Sequence, residues 1–560
     1  MQRLLTEAGA SLSGIPWNRY PRPQMVRKDW LCLNGLWNLS YMGTQTQIRV
    51  PFCPECLLSG TDLHVEYGET LEYSRTFTVP EAWSGQRILL HFGAVSRIAD
   101  VKINGTPVAH HEETYLPFSA DITDALQPGE NLLSLSAVND LSPRHPWGKQ
   151  RKNRGGMWYT PVSGIWQTVW LEPVPEQYIS FLSVRTDEGR VEIRTEGVRE
   201  GTVVLDEKEY ALKNGTARIR LQDPRLWSPE DPYLYRFSVR SGKDCVGSYF
   251  ALRDLSVREF RGIPRLCLNG EPYFFHGLLD QGYWSDGLYT PADPESYERD
   301  ILAMKALGFN TLRKHIKIEP EQFYYDCDRL GMIVFQDMVN CGTYSYLRDT
   351  WLPTVKIGLS RKDRLLHKDP EARKNFLAAM EETVRLLGNH PSICLWTIFN
   401  EGWGQFCADD AYRRLKAMDP TRFIDSTSGW FHQRETDVDS LHIYFDKLHL
   451  GSEKRPQLLS EFGGRSLKIP EHSFNLGKTY GYTKFTDRDA FVKSLRALYA
   501  EEVLPLVLKG LCGAVYTQVS DVEDETNGLL TFDRRISKVL PEELEDIAYH
   551  LKEAVRMNLS

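Results

Sequence analysis

Along the first 175 positions apolar and polar residues alternate in short runs: Leu71–Val79, Arg87–Phe92, Ala99–Ile103 and Asn131–Val138. Turn signals such as Asn104-Gly105 and Pro128-Gly129 separate them, and the 3.6-residue period of an amphipathic helix is missing. Short, evenly spaced strands of this kind predict a β jelly roll over 1–175. Residues 176–260 keep the same texture (ISFLSVRTD, RVEIRTEG, TARIRL, YLYRFSVR) at a length suited to one immunoglobulin-like β-sandwich. Pro173, Pro175 and the loop near Arg258–Pro264 are the candidate joints.

From 261 to 560 strand-like apolar runs alternate with helical stretches, the signature of βα units around a parallel sheet. Eight candidate strands can be counted: PYFFHGL, TLRKH, MIVFQD, ICLWTIFNE, FIDST, LHIYF, QLLSEF and GAVYTQVS. Helices are expected at Glu295–Leu307, Glu321–Leu330, Ala372–Leu387, Ala408–Met418 and Asp487–Glu502. Eight such units predict a C-terminal (β/α)8 TIM barrel, so the expected fold class is multidomain β plus α/β.

Composition narrows the function without choosing it. The chain has 560 residues, too many for one core. Its formal net charge of −8 argues against a dedicated nucleic-acid binder. No run is long and apolar enough to span a bilayer, and the N-terminus lacks an apolar signal-peptide region, so a soluble, cytoplasmic protein is expected. The ten cysteines include a CPEC pair, Cys53 and Cys56, but no second pair stands at zinc spacing. Buried free thiols are the expectation.

In a TIM barrel the chemistry sits at the C-terminal ends of the strands, so polar residues that close an apolar strand are the ones to inspect. ICLWTIF runs straight into Asn400-Glu401 and then Gly402-Trp403-Gly404. Burial at such a position raises a carboxyl pKa, which suits a proton donor near neutrality. QLLS runs into Glu461 before two glycines. Carboxylates ending the fourth and seventh of eight strands lie across one barrel mouth. Glycosidic cleavage needs that arrangement, one carboxyl group protonating the leaving oxygen and the other attacking the anomeric carbon.

FNEGWGQF and LLSEFGG resemble the acid/base and nucleophile segments of glycoside hydrolase family 2, the β-galactosidase/β-glucuronidase family. GGMWYTPVSGIWQTVWLEP (155–173) is similar to the end of that family's sugar-binding jelly roll, and NTLRKH (310–315) to its second barrel strand. The resemblance covers essentially the whole chain. It implies a retaining exo-β-glycosidase that hydrolyses terminal β-D-galactosides or β-D-hexuronides through a covalent glycosyl-enzyme, with Glu401 as general acid/base and Glu461 as nucleophile. It further implies that Asn400 bonds the sugar 2-hydroxyl, that Arg313 holds the nucleophile ionised, that Tyr444 bonds it and that His442 touches substrate. His315, Trp403 and Asp280 are also expected to line the sugar, Asp280 by accepting from two hydroxyls, with Trp284 as a stacking wall.

Departures from the family pattern bear on specificity. Gln518 stands where many relatives carry a tryptophan that floors the sugar. FQDMVNCG lacks the metal ligands of the magnesium-dependent β-galactosidases, so neither metal nor cofactor is expected. The Asn-x-Lys element of the best-known β-glucuronidases is missing, yet basic residues cluster in pocket-facing segments: Lys314, Lys317, Arg465, Lys468, Arg151, Lys152 and Arg154. Arg465, four residues past the nucleophile, is the candidate partner for a uronate carboxylate. The expected partner is a carbohydrate, not nucleic acid or membrane, with homo-oligomerisation left open. The competing readings are a β-mannosidase-like specificity, a non-catalytic glycan-binding protein, and a metal-dependent barrel hydrolase. The last would need a His-x-His on the first strand, where only His276 stands.

Overall fold

The computed structural model describes residues 1–354, 362–452 and 454–557. Its largest sheet is the barrel: β1 (Phe275–Asp280), β2 (Thr311–Lys314), β3 (Ile333–Asp337), β4 (Ile393–Asn400), β5 (Phe423–Ser428), β6 (Asp439–Ile443), β7 (Gln457–Gly463) and β8 (Leu511–Thr517). The hydrogen-bonded order is β5-β4-β3-β2-β1-β8-β7-β6, every pairing parallel. Between β5 and β6 closure is made by sparse backbone bonds, Gly429 N to Ser440 O at 3.3 Å and Asp437 N to Ile424 O at 2.9 Å. All eight strands coincide with the expected apolar runs. They read as unbroken runs because side chains on both faces are buried, outward under helices and inward in the barrel.

The helices follow their local signals. Asp369 caps Pro370–Leu387 by accepting from the amides of Glu371 and Ala372, with proline at the first position. Glu321–Leu330 stops at Gly331, whose φ of +73° supplies the left-handed turn. Asp487 accepts from Ala490 N and starts Arg488–Ala497; the stretch then continues as a π-helical turn, Leu498–Val503, so the expected single helix changes winding partway.

Ahead of the barrel stand two sandwiches. The first packs a six-stranded sheet on a four-stranded one around Trp37, Tyr73, Leu90 and Leu135. Its hairpin Ile98–Ile103/Thr106–Glu112 turns on Asn104-Gly105, both at positive φ as the asparagine-glycine signal requires. The second packs three strands on four around Leu182, Ile193, Val203 and Phe237. Two expected joints are corrected. Pro173 lies inside the strand Val169–Val174, beyond the reach of the two-residue strand Leu31–Cys32, so on that side no partner needs its missing N–H. The segment around Arg258–Pro264 is a hairpin, Leu255–Phe260 with Ile263–Leu268, and Leu266 and Leu268 pack with Phe275, Leu395 and Phe423 as the floor of the barrel.

A buried charge cluster joins the pieces. Glu172 of the first sandwich accepts from Arg22 and Arg27, and Arg27 also forks onto Asp244 of the second. The loop 143–160 of the first sandwich reaches over the barrel mouth, where Trp147 donates to the Asn340 and Gly342 carbonyls.

Candidate active site

The barrel carries its polar residues to one end. Glu401 follows β4 in a left-handed conformation, φ +50°, with its amide bonded to Ser428 O at 2.9 Å. Such a backbone disfavours a side-chain-bearing residue, and its occurrence at a strand end marks a constrained site. The flanking glycines follow from space: a Cβ on Gly404 would stand 1.8 Å from Cys341 O, and one on Gly402 would meet the Phe431 ring at 2.4 Å.

Glu461, on β7, is buried with both oxygens engaged. Arg313 Nη1 donates to Oε1 at 3.1 Å and Tyr444 donates to Oε2 at 2.5 Å. Burial alone would push this carboxyl up, but His442, Arg313, His315 and Lys149 outweigh it and hold the group well below the ordinary carboxylate range. Glu401 has a different neighbourhood: His442 Nδ1 lies 2.8 Å from its Oε1. Ligand atoms of Glu401, His442 and Glu461 lie within 4.8 Å of one another, so the two carboxylates face each other across a sugar-sized gap.

Arg313 organises the centre. Nε and Nη2 fork onto Asp337, the second Nη2 hydrogen goes to Asn400 Oδ1 at 2.8 Å, and Nη1 reaches Ser460 O as well as Glu461. Nη1 also stands 3.3 Å from His442 Nε2. Ser428 Oγ lies nearer to Nε2, at 2.7 Å, and Nδ1 faces Glu401, so the ring is held between the two. Because Arg313 occupies the Asn400 oxygen, the amide nitrogen Nδ2 is left buried without a partner, a donor facing the pocket.

The other expected residues divide. His315 bonds Asp337 Oδ2 at 2.8 Å, and burial pushes its imidazole down to about 4, so it is neutral beside Glu461. Trp403 is buried and stacks on Trp158 of the jelly-roll loop, ring centres 5.2 Å apart, with its indole N–H unpartnered. Gln518 donates to Glu525 and Asn527 and so braces the loop after β8.

Three expectations are corrected. Asp280 accepts from Lys314 Nζ at 2.6 Å and from Gly282 N at 2.9 Å, so its oxygens serve an internal ion pair rather than two sugar hydroxyls. Trp284 is a core residue under Arg534. Arg465 turns away from the pocket to Ser494 on the helix after β7, Nε to Oγ 2.6 Å.

Asp337, Glu525 and Lys149 were not singled out in the sequence. Asp337 closes the apolar run of β3 and was findable by the same rule as Glu401. Glu525 accepts from Tyr159 and Gln518, and Lys149 comes from another sandwich; both depend on contacts remote in sequence. As for metals, Glu401, His442 and Glu461 are the cluster of suitable atoms among the described residues. The Glu461 oxygens already accept from Arg313 and Tyr444, and a guanidinium at 3.1 Å opposes a dication, so the donor set does not suit one. Among the described residues no helix is long and apolar enough to cross a membrane.

Comparison with known proteins places this geometry. Residues 263–461 match the model for the glycosyl hydrolases family 2 TIM barrel domain, 50–163 the glycosyl hydrolase 2 galactose-binding domain-like model and 179–253 the glycosyl hydrolases family 2 model. The chain is 24% identical to a β-galactosidase of Priestia megaterium, over 76% of this chain and 42% of that one. It is 26% identical to the β-glucuronidase of Canis lupus familiaris, over 67% and 63%. It thus spans less than two thirds of the length of these relatives. Among solved structures, a β-glucuronidase of an uncultured Clostridium superposes with a TM-score of 0.73 at 18% identity, covering 97% of this chain and 100% of that one. A β-galacturonidase of Eisenbergiella tayi superposes with 0.69 at 20% identity, covering 95% and 99%. Both share the fold.

Proposed function

Because the chain belongs to glycoside hydrolase family 2, we propose that it is a retaining exo-β-glycosidase acting on terminal β-D-galactosides or β-D-hexuronides. The observation that carries this reading is the carboxylate pair. Oxygens of Glu401 and Glu461 approach within 4.8 Å, near the roughly 5–5.5 Å of retaining enzymes and short of the roughly 6.5–9.5 Å that inversion needs for a water.

The unequal surroundings assign the roles. Glu461, held ionised by its cationic neighbours and oriented by Arg313 and Tyr444, attacks the anomeric carbon as the glycosidic C–O bond breaks. Glu401 keeps Oε1 on His442, leaving Oε2 to deliver the proton to the departing oxygen. In the second half Glu401 takes a proton from water, the resulting hydroxide displaces Glu461 from the anomeric carbon, and both carboxyl groups return to their starting states. The free Asn400 amide would bond the 2-hydroxyl, a contact that strengthens as oxocarbenium character develops. Catalysis belongs to the barrel from about residue 261, with the jelly roll of 1–175 supplying one wall of the pocket. The ten cysteines are all free, which supports a cytoplasmic setting.

The test is covalent trapping. Incubation with a 2-deoxy-2-fluoro β-glycosyl fluoride, followed by peptide mass spectrometry, should place the added sugar on Glu461. Label on another residue, or none with any sugar of the two classes, would sink the assignment.

A further inference from the structure

The carboxylate pair does not decide the charge of the sugar; a residue that reads that charge presupposes the glycosidase reading. Most cations near the barrel mouth already have partners. Lys314 and Lys317 are tied to Asp280 and Glu319, Arg154 to Glu523, Lys152 to Glu66, and Arg465 to Ser494. Lys468 donates to three backbone carbonyls. The Arg151 guanidinium sits 4.5 Å from the Trp158 ring centre, at the partly exposed rim.

Lys149 is different. Only 8% of it is exposed, and its ammonium sits 5.7 Å from the ring centres of both Trp403 and Tyr159. Trp403 stands two residues past Glu401, and Tyr159 donates to Glu525 beyond β8, so the charge hangs inside the mouth between the two. It acts electrostatically on Glu461, His315 and Glu525. Yet among the described residues no carboxylate oxygen lies within 4.0 Å of Nζ and no hydrogen bond engages it. The nearby carboxylates are already satisfied: Glu461 by Arg313 and Tyr444, Glu525 by Tyr159 and Gln518. Its stem is buried while its head opens to the pocket, so three donors that no described residue claims are presented to an anion there.

We infer that Lys149 is a specificity-determining residue that binds the C6 carboxylate of a β-hexuronide. A neutral hexose would offer the same ammonium only a hydroxyl, a weaker acceptor than a carboxylate. The jelly-roll loop then selects the substrate while the barrel performs the chemistry.

The experiment compares kcat/KM for 4-nitrophenyl β-D-glucuronide and β-D-galacturonide with the matching β-D-glucoside and β-D-galactoside. It uses the wild type, Lys149→Met and Lys149→Arg. The wild type should favour one hexuronide over its neutral counterpart. Lys149→Met should reduce that ratio on the order of 100-fold, the size expected for a lost charge-assisted hydrogen bond, and Lys149→Arg should restore part of it. Calorimetric titration with free D-glucuronate and D-galacturonate against D-glucose and D-galactose provides a readout independent of turnover, with uronate binding lost in Lys149→Met. A wild type that prefers neutral glycosides, or a Lys149→Met variant whose ratio is unchanged, overturns the inference while leaving the glycosidase reading intact. Uronate binding that depends on Lys149, in a protein that cleaves no β-glycoside, would uphold the inference and overturn that reading instead.

Discussion

Replacing Arg313 by methionine should uncouple the active site in a way that its geometry makes quantitative. The side chain is buried, and its donors serve Asp337 twice, Asn400 once and, through Nη1, Glu461 and Ser460 O. Two of these bonds aim residues at the sugar: the one to Glu461 and the one to the Asn400 oxygen. Charge-assisted hydrogen bonds are worth about 1.5–3 kcal/mol each, so losing both predicts roughly 3–6 kcal/mol of transition-state stabilisation. That corresponds to a fall in kcat/KM of roughly 10²- to 10⁴-fold. Stability should also drop by about 3–5 kcal/mol, because Asp337 would stay buried with only His315 as a partner.

The pH dependence separates control of ionisation from simple loss of packing. Burial works to raise the Glu461 carboxyl, and Arg313 is among the groups that overcome it. A carboxyl whose folded pKa is depressed contributes stability above its unfolded pKa, and loses it as pH falls through the folded value. In the wild type the acidic limb of kcat/KM should therefore lie below the ordinary carboxylate range. In Arg313→Met one of the groups that opposes burial is lost, so the limb should move up in pH and the Glu461 contribution at neutral pH should shrink. The assay is a pH series of kcat/KM on an aryl glycoside with a good leaving group, alongside thermal unfolding of the same preparations. A folded Arg313→Met protein whose acidic limb stays in place would refute the proposed control of Glu461 ionisation.

The same contacts set three other outcomes. Glu401→Ala should spare 2,4-dinitrophenyl glycosides and cripple alkyl glycosides, since only the latter need the proton; equal losses on both would remove Glu401 from the acid role. Activity should survive exhaustive chelation, because Arg313 and Tyr444 already occupy Glu461; loss reversed by added magnesium would contradict this. Asp419 accepts from Trp396 Nε1 and Arg422, and against the upward pull of burial Arg422 brings it down to about 2. Asp419→Ala should cost about 3–5 kcal/mol at neutral pH, and the gap in unfolding free energy should close as pH falls from about 4 toward 2. A gap independent of pH would assign the loss to packing.

The barrel was legible because burial on both faces writes its strands as apolar runs, and because Asp369-Pro370 and Gly331 mark helix ends chemically. The hairpin Leu255–Leu268 was not, since its first strand leaves Val257, Arg258 and Glu259 exposed on both faces while its second buries Arg265 to Leu268, so neither shows the alternation of a half-buried strand. Within the site, Glu401 and Glu461 stood out as carboxylates ending apolar runs, whereas the roles of Arg313 and Tyr444 came from the family resemblance. Arg465 misled because closeness in sequence to the nucleophile does not fix where a side chain goes. Gly463 and Gly464, at φ +84° and +65°, redirect the backbone within two residues, and the guanidinium leaves toward the outer helix. Asp280 shows the complementary failure: the strand-end rule found a half-buried carboxylate, but its partner Lys314 lies one strand away.

That leaves a reason for substrate selection to reside outside the barrel. Arg313 has no donor to spare, and Asp337 is tied to Arg313, His315 to Asp337 and His442 to Glu401. A substrate-charge reader inserted into this network would displace one of its members and shift the ionisation of Glu461. Lys149 avoids the conflict because it approaches from the jelly-roll loop, held down by the Trp147–Trp158–Trp403 stack at ring separations of 5.4 and 5.2 Å. The loop packs closely there; a Cβ on Gly148 would stand 2.4 Å from the Tyr115 hydroxyl. Its ammonium is therefore positioned by aromatic packing rather than by ion pairs, which leaves its charge available to the sugar and the barrel's charges available to the chemistry.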